Sequence, residues 1–355
     1  MTTDLLSKVQ GVVKQERNGF FMPAEWLPHE ATWCSWPRNR RTWAHNLDEV
    51  RREFSALVRA IANDEPVRVM AGVGEDFDGA QKALGGIEGV TLVDIKTNDA
   101  WARDYAPTFA IHQKTNSLRV VDWHFNAWGG KYLAFDDDQK VAMKVAQWIG
   151  CEHQSINLCL EGGALEVDEN GLMMSTRTCA FDTDRNPGIQ PDEIERRIVA
   201  STGATGMIWL QGDCLIGDDT DGHIDQLARF TPSGPILYAW TDNSIDPQQA
   251  GLRKNLEDLR AELDRLGIKR ELVPLPIPDP VIFRGVQIPA CYCNYYLTNR
   301  SVIVPAFGAP QDEVAAKIVS ALHSDRRLVM LPSNHLTVGL GSFHCLTQQQ
   351  PALNS

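Results

Sequence analysis

Short apolar runs and amphipathic segments alternate along this chain, and that alternation narrows the folds open to it more than any other feature. Runs at 31–36, 67–73 and 90–95 have the length and the β-branched or aromatic content of buried strands. Between the first two, Val50, Phe54, Leu57, Val58 and Ile61 recur at helical spacing, with Asp48 near the start. A second helix is predicted at 76–84. The same reading gives strands at 109–112, 118–125, 206–210, 236–240, 270–275, 295–305 and 327–331. Helices fall at 137–149, 191–200, 247–266 and 312–323, a hairpin around Glu169-Asn170-Gly171, and a loop at 126–132. The pattern is α/β, but not a plain β-α-β repeat. Hairpins and strand doublets stand between single helices, so about five strand-rich units with about one helix each can be marked off. Units of that kind predict a closed, repetitive arrangement.

Composition excludes several classes of partner. Of 355 residues 43% are hydrophobic, enough for a large core, and the formal net charge of -12 argues against nucleic acid or an anionic membrane as partner. The first residues are polar and of mixed charge, without the apolar centre of a signal peptide, and no later run is long enough to span a bilayer. A cytoplasmic protein is the expectation. The eight cysteines are scattered and form no C-x-x-C pair, which reads as reduced thiols and not as a disulfide framework or a structural zinc site. Cys291 and Cys293 are expected on one face of a strand. Neither G-x-G-x-x-G nor a P-loop occurs, so no nucleotide cofactor is expected.

Chemistry concentrates in a few places. Near the end of the chain Gly339-Leu340-Gly341-Ser342-Phe343-His344-Cys345 sets a thiol after a glycine-punctuated turn. Read alone, Cys345 is a small buried hydrophobe. His223-Ile224-Asp225 follows the acidic run Asp218-Asp219-Thr220-Asp221 and is expected to open a strand, with His223 and Asp225 on one face. A cation site in that run is the alternative, but its spacing does not match an EF-hand and no metal is expected. Glu161 follows the apolar stretch Leu158-Cys159-Leu160 and precedes two glycines that leave room for a ligand. Asp104 stands between Trp101 and a strand, with Arg103 as its simplest partner. Separate carboxylates, a histidine and a cysteine suit a planar guanidinium. Carboxylates bind such a cation through paired hydrogen bonds. A thiolate attacks its unreactive carbon and divides the reaction into two steps. A histidine protonates the departing ammonia and later takes a proton from water.

Further stretches carry a resemblance. They are Met22-Pro23-Ala24-Glu25-Trp26 with Trp33 and Trp36-Pro37, Asn98 to Asp104, Phe125 to Tyr132, Leu160-Glu161-Gly162-Gly163, Asp218 to Asp225, and His344-Cys345-Leu346-Thr347-Gln348-Gln349. On these motifs the chain resembles the agmatine deiminases of the guanidino-group-modifying superfamily over nearly its whole length. The resemblance implies a five-bladed α/β propeller, the pentein fold, as one catalytic domain over 20–352, with 1–19 as an N-terminal extension. It implies Cys345 as nucleophile, His223 as general acid and base, and Glu161 as a ligand of the guanidinium that also orients His223. Asp104 and Asp225 would grip the guanidinium, and Trp101 would line the pocket. No cofactor or metal is implied, and a homo-oligomer is. The expected reaction is hydrolysis of agmatine to N-carbamoylputrescine and ammonia. A deiminase of peptidyl or free arginine is the alternative within the class, and a non-catalytic guanidino-binding protein the alternative outside it. Leu340 and Phe343 stand where the family often has glycine and a β-branched residue, a departure expected to reshape the pocket.

Overall fold

The computed structural model describes residues 19–353. The extension expected over 1–19 lies outside the described residues apart from Gly19. In chain order the elements are β1 (His29–Ser35), α1 (Leu47–Ala62), β2 (Val67–Met70), α2 (Glu75–Leu84), β3 (Val90–Val93), β4 (Thr108–His112), β5 (Ser117–His124), α3 (Val141–Ile149) and β6 (Glu152–Cys159). Next come β7 (Glu166–Val167), β8 (Leu172–Thr176), α4 (Pro191–Thr202), β9 (Gly206–Leu210), β10 (Ala228–Phe230), β11 (Ile236–Trp240), α5 (Gln249–Leu266) and β12 (Leu272–Pro276). A small hairpin, β13 (Ile282–Phe283) and β14 (Val286–Gln287), precedes β15 (Tyr296–Leu297), β16 (Ser301–Ala306), α6 (Gln311–Leu322), β17 (Arg327–Pro332) and β18 (Thr347–Pro351).

Each unit repeats one topology. An antiparallel pair is followed by a helix and a parallel third strand: β4-β5-β6, β7-β8-β9, β10-β11-β12 and β15-β16-β17. The fifth unit is assembled from both ends of the chain. β18 pairs antiparallel with β1, which pairs parallel with β2, and β3 follows β2. Neighbouring units touch in cyclic order. β4 meets β18, β10 meets β7, α5 packs on β9, α6 on β12, and α1 returns to β16 and β17 beside the first sheet. The doublet-and-helix beat of the sequence is therefore a ring of five units, closed by the last strand.

Helices form where the apolar stripe recurs. α1 buries Leu47, Val50, Phe54, Leu57, Val58 and Ile61, and α5 buries Leu252, Leu256, Leu259 and Leu263. Gly150, Gly203 and Gly267 cap α3, α4 and α5 in the left-handed conformation that glycine adopts without strain. Three expectations are corrected. The run at 295–305 is a hairpin, because Thr298-Asn299-Arg300 turns between β15 and β16. Cys293 sits in a 3-10 turn, Tyr292–Asn294, and not in a strand. His223-Ile224-Asp225 likewise opens a 3-10 turn, Ile224–Gln226, so period-two alternation does not place its side chains. The last two sit at unit entrances, where a sharp change of direction overrides strand propensity.

Those entrances position the site. Before the first strand of each unit lies a short turn: Ala102–Tyr105, Gly162–Ala164, Ile224–Gln226, Tyr292–Asn294, and the turn closed by the Leu346 amide on the Ser342 carbonyl. The first four touch in sequence. The ring is completed where the His344 amide donates to the Asn294 carbonyl at 3.1 Å and the Arg103 amide to the Cys345 carbonyl at 3.0 Å. Residues far apart in the chain thus meet at one centre.

At the closing seam Trp33 of β1 is fully buried, and its indole donates to Gln350 Oε1 of β18 at 3.0 Å. Trp33→Ala is expected to lower unfolding free energy by about 3–5 kcal/mol, read from urea denaturation. A loss below about 1 kcal/mol would mean that the seam is not a principal support of the ring.

Candidate active site

Four of the five entrance turns carry a polar side chain to the centre, and the glycine of the fifth leaves room for it. Asp104 lies in the turn before β4, Asp225 before β10, Asn294 before β15 and Cys345 before β18. Gly163 lies before β7. A methyl group built there would stand 2.6 Å from His223 Nδ1, 2.7 Å from Asp104 Oδ1 and 3.2 Å from Asp225 Oδ2. Three groups separated by up to 121 positions in sequence therefore surround a single point. The Gly163 amide donates to Asp104 Oδ1 at 3.1 Å, which ties the two turns together.

The nucleophile candidate is held on both sides. Asn294 Nδ2 donates to Cys345 Sγ at 3.1 Å, and the thiol donates to Asp225 Oδ2 at 3.6 Å. Burial pushes the Cys345 thiol well above its ordinary pKa, and Asp225 and Asp104 push it further. His223 is buried and contacts both flanking acids without a full hydrogen bond: Nδ1 lies 3.6 Å from Asp104 Oδ1, and Nε2 lies 3.5 Å from Glu161 Oε2. Burial opposes the charged imidazolium, but Asp104, Cys179 and Glu161 outweigh it and hold the His223 pKa well above its usual value. Asp104 accepts the Trp128 indole N–H at 3.0 Å. Burial first, then Asp225 and Glu161, raise its carboxyl to about 6 against the pull of His223.

Glu161 and Asp225 differ from Asp104 in having strong donors of their own. Both oxygens of Glu161 accept from Arg185 Nε, at 2.9 and 3.0 Å. Burial alone would raise Glu161, but Arg185 and His223 bring it down to about 2. Asp225 Oδ2 pairs with His344 Nδ1 at 2.7 Å, and His344 Nε2 with Glu25 Oε2 at 2.8 Å. His344 outweighs burial and keeps the Asp225 carboxyl below its usual range. Arg229 stands behind Glu25 at 2.7 Å and Glu166 at 3.2 Å.

Two sets of ligand-type atoms cluster among the described residues: Glu161 with Cys179 and His223, and Glu25 with Glu166 and His344. A guanidinium already occupies each, Arg185 in the first and Arg229 in the second. A metal ion would have to displace that positive charge.

A cavity of about 350 Å³ opens over this centre. Trp101, Asp104 and Cys345 line its floor, with Gly339, Leu340 and Gly341 beside them. Leu340 takes a left-handed backbone at φ 75° and faces the cavity, whereas Phe343 is fully buried in the core and does not line it. Of the two departures, only Leu340 shapes the pocket. Phe125, Trp128, Tyr132, Leu133 and Asp219 also line it, and Asp219 accepts the hydroxyl of the half-exposed Tyr132. The loop expected at 126–132 contains a kinked helical turn, with Ala127 and Trp128 at positive φ, and this turn carries the Trp128 indole to Asp104.

The structure brings all six expected residues into one neighbourhood. Sequence reading missed the supports: Arg185, His344, Asn294 and Trp128. The last three stand inside motifs already singled out or beside Cys293, but nothing in local sequence says that their polar atoms turn inward. Arg185, after Asp182-Thr183-Asp184, reads as a solvated charge run.

The family described as Porphyromonas-type peptidyl-arginine deiminase matches residues 21–351. An agmatine deiminase of Stutzerimonas stutzeri (strain A1501) is 34% identical, over 95% of this chain and 96% of its own. One of Pseudomonas aeruginosa (strain LESB58) is also 34% identical, over 94% and 96%. Among solved structures, agmatine deiminase of Enterococcus faecalis has a TM-score of 0.87 and 28% identity, covering 95% of this chain and 97% of that one. A C. jejuni agmatine deiminase with substrate bound has a TM-score of 0.85 and 26% identity, covering 94% and 97%.

Gly163→Ala is expected to reduce turnover at least about 100-fold, because the methyl group fills the point the reacting groups share while removing none of them. Steady-state kinetics beside a thermal unfolding curve checks this. A fully active variant would show that the reaction does not use that point. The ring of five units is the pentein arrangement of these deiminases, and the chain belongs to the Porphyromonas-type peptidyl-arginine deiminase family.

Proposed function

We propose that this protein hydrolyses agmatine to N-carbamoylputrescine and ammonia, with Cys345 as nucleophile and His223 as acid and base. The observation that carries the reading is the convergence of Asp104, Asp225 and His223 on one point beside the Cys345 thiol. Relatives named agmatine deiminase align over nearly the whole chain, which supports agmatine as the substrate.

A guanidinium on the cavity floor pairs with the carboxylates of Asp104 and Asp225. Its positive charge beside the sulfur offsets their effect on the thiol and favours the thiolate. The sulfur then adds to the guanidinium carbon. His223 gives its proton to one nitrogen, and the carbon–nitrogen bond breaks to release ammonia. The product is an amidino group on Cys345. Water enters, His223 takes its proton, and oxygen adds to the same carbon. Collapse breaks the carbon–sulfur bond, the remaining hydroxyl proton passes to solvent, and a urea and the thiolate are freed. Trp101 and Trp128 keep the cation among aromatic faces. Apolar groups of Phe125, Leu133 and Leu340 face the methylenes of the substrate tail.

The distal ammonium needs an acid at the mouth. Asp219 lies there with one oxygen taken by the Tyr132 hydroxyl and, among the described residues, no cation in ion-pair contact with its carboxylate. It is the acid placed to receive the amine. Arg41 lines the same mouth, and a free arginine would direct its carboxylate there.

Cys345→Ala should release no ammonia from agmatine while still binding it, measured by an ammonia assay and by calorimetry. Normal turnover would remove the proposal. Asp219→Asn should raise KM for agmatine about five- to tenfold with kcat little changed. An unchanged KM would take Asp219 out of amine recognition. The pH dependence follows from Asp104. Below about 6 its carboxyl takes up a proton and no longer pairs with the cation, so kcat/KM should fall on the acid side through that value. An acid limb unmoved in Asp104→Asn would assign that pKa elsewhere.

A further inference from the structure

We infer that Arg185 is a positioning residue that reserves Glu161 for His223, leaving the substrate guanidinium to Asp104 and Asp225. The inference rests on the deiminase reading above. Arg185 has no exposed side-chain surface. Its Nε lies between the two oxygens of Glu161, at 2.9 and 3.0 Å. Nη1 donates to Asp221 Oδ2 at 2.6 Å, and Nη2 donates to the Thr220 carbonyl at 3.0 Å. Such a fork fixes a planar geometry that a single ammonium cannot reproduce.

Two consequences follow for Glu161. First, its carboxylate already holds a guanidinium. Oε2 also lies 3.5 Å from both Cys179 Sγ and His223 Nε2. A second guanidinium on the same carboxylate would bring like charges together where water is scarce. Second, Oε2 faces the nitrogen of His223 that points away from Asp104. Glu161 thus holds the imidazole with Nδ1 toward the point where the cation binds, as the acid of a triad does.

The same guanidinium anchors the segment that delivers the imidazole. Thr220 and Asp221 precede His223, and Asp221 holds a left-handed backbone at φ 63°, uncommon for a residue with a side chain. Lys131 Nζ meets the same Asp221 oxygen at 2.6 Å. Alternating charges therefore run from the cavity mouth to the centre: Lys131, Asp221, Arg185, Glu161, His223.

The charged and titratable groups that face His223 are Asp104 before β4, Glu161 after β6, Cys179 after β8, and Asp219 and Asp225 on its own segment. With Arg185 gone, burial drives Glu161 toward its neutral form. His223 then loses one of the anions that hold its proton, and its pKa falls.

The test uses the whole chain with agmatine. Arg185→Lys, Glu161→Gln and the double variant are compared for kcat, KM and the pH profile of kcat, with thermal unfolding as the check on folding. Each single variant is expected to lose about 100-fold or more in kcat with KM within about threefold of wild type. The basic limb should move to lower pH by about one unit in Glu161→Gln and by less in Arg185→Lys, whose ammonium keeps a charge beside Glu161. The double variant should be no slower than Glu161→Gln, because the two residues act as one unit. A tenfold or larger rise in KM for Glu161→Gln with kcat held, or additive losses with an unmoved basic limb, would overturn the inference. If Arg185→Lys fails to fold, Asp221→Asn serves, since it removes the charge that holds Nη1 and so loosens Arg185 on Glu161. It should lower kcat in the same direction by a smaller factor, and a wild-type kcat would overturn the role given to Arg185. A wild-type enzyme inactive on agmatine would instead remove the deiminase reading itself.

Discussion

Three buried carboxylates share one small volume with a thiol, and the fold supplies strong partners to only two of them. Arg185 stands on Glu161 and His344 on Asp225, and both acids are held below their ordinary range. Among the described residues Asp104 has only an indole N–H, a backbone amide and the edge of His223. Its carboxyl rises to about 6, and the thiol beside it rises too. Burying an acid without a matched cation is costly. Among the described residues the His223 imidazole is the one cationic neighbour of Asp104, and the centre keeps a negative charge that suits a further cation. When one enters, the same charge that satisfies Asp104 stabilises the thiolate, so binding and activation of the nucleophile are one event.

That arrangement needs the ring. No local motif could bring Asp104, Gly163, Asp225, Asn294 and Cys345 together, since each stands on a different unit. The entrance turns make the contact, and two backbone hydrogen bonds close their circle at His344 and Cys345. The last strand does two jobs. β18 completes the first sheet by pairing with β1, and the residues just before it carry the nucleophile. The seam and the active site thus share one segment.

Much of this was legible in the sequence because the relevant patterns are local. Helical spacing placed the buried face of α1, and the helix expected at 247–266 lies within two residues of α5. The resemblance named the six principal site residues. The glycines after Glu161 pointed to a close approach, and the structure puts His223, Asp104 and Asp225 against Gly163. What stayed hidden is set by long-range partnership. Arg185 looks like a surface charge until the chain turns it onto Glu161, 24 positions away. His344 reads as a neighbour of the cysteine, yet its ring bridges Asp225 and Glu25, 119 and 319 positions away. Strand propensity failed at 223–225 and at 293 for a related reason: the unit entrances must turn toward the centre whatever their residues prefer alone.

The claim that the substrate's own charge activates the nucleophile is tested most directly by titrating the Cys345 thiol. Thiolate absorbance of wild type minus Cys345→Ser would be followed against pH, with and without a guanidinium ligand that cannot react. The account predicts a thiol that stays protonated through neutral pH in the free protein, and a midpoint that falls once the ligand is bound. A thiolate already formed at neutral pH in the empty cavity, with a midpoint indifferent to the ligand, would contradict it.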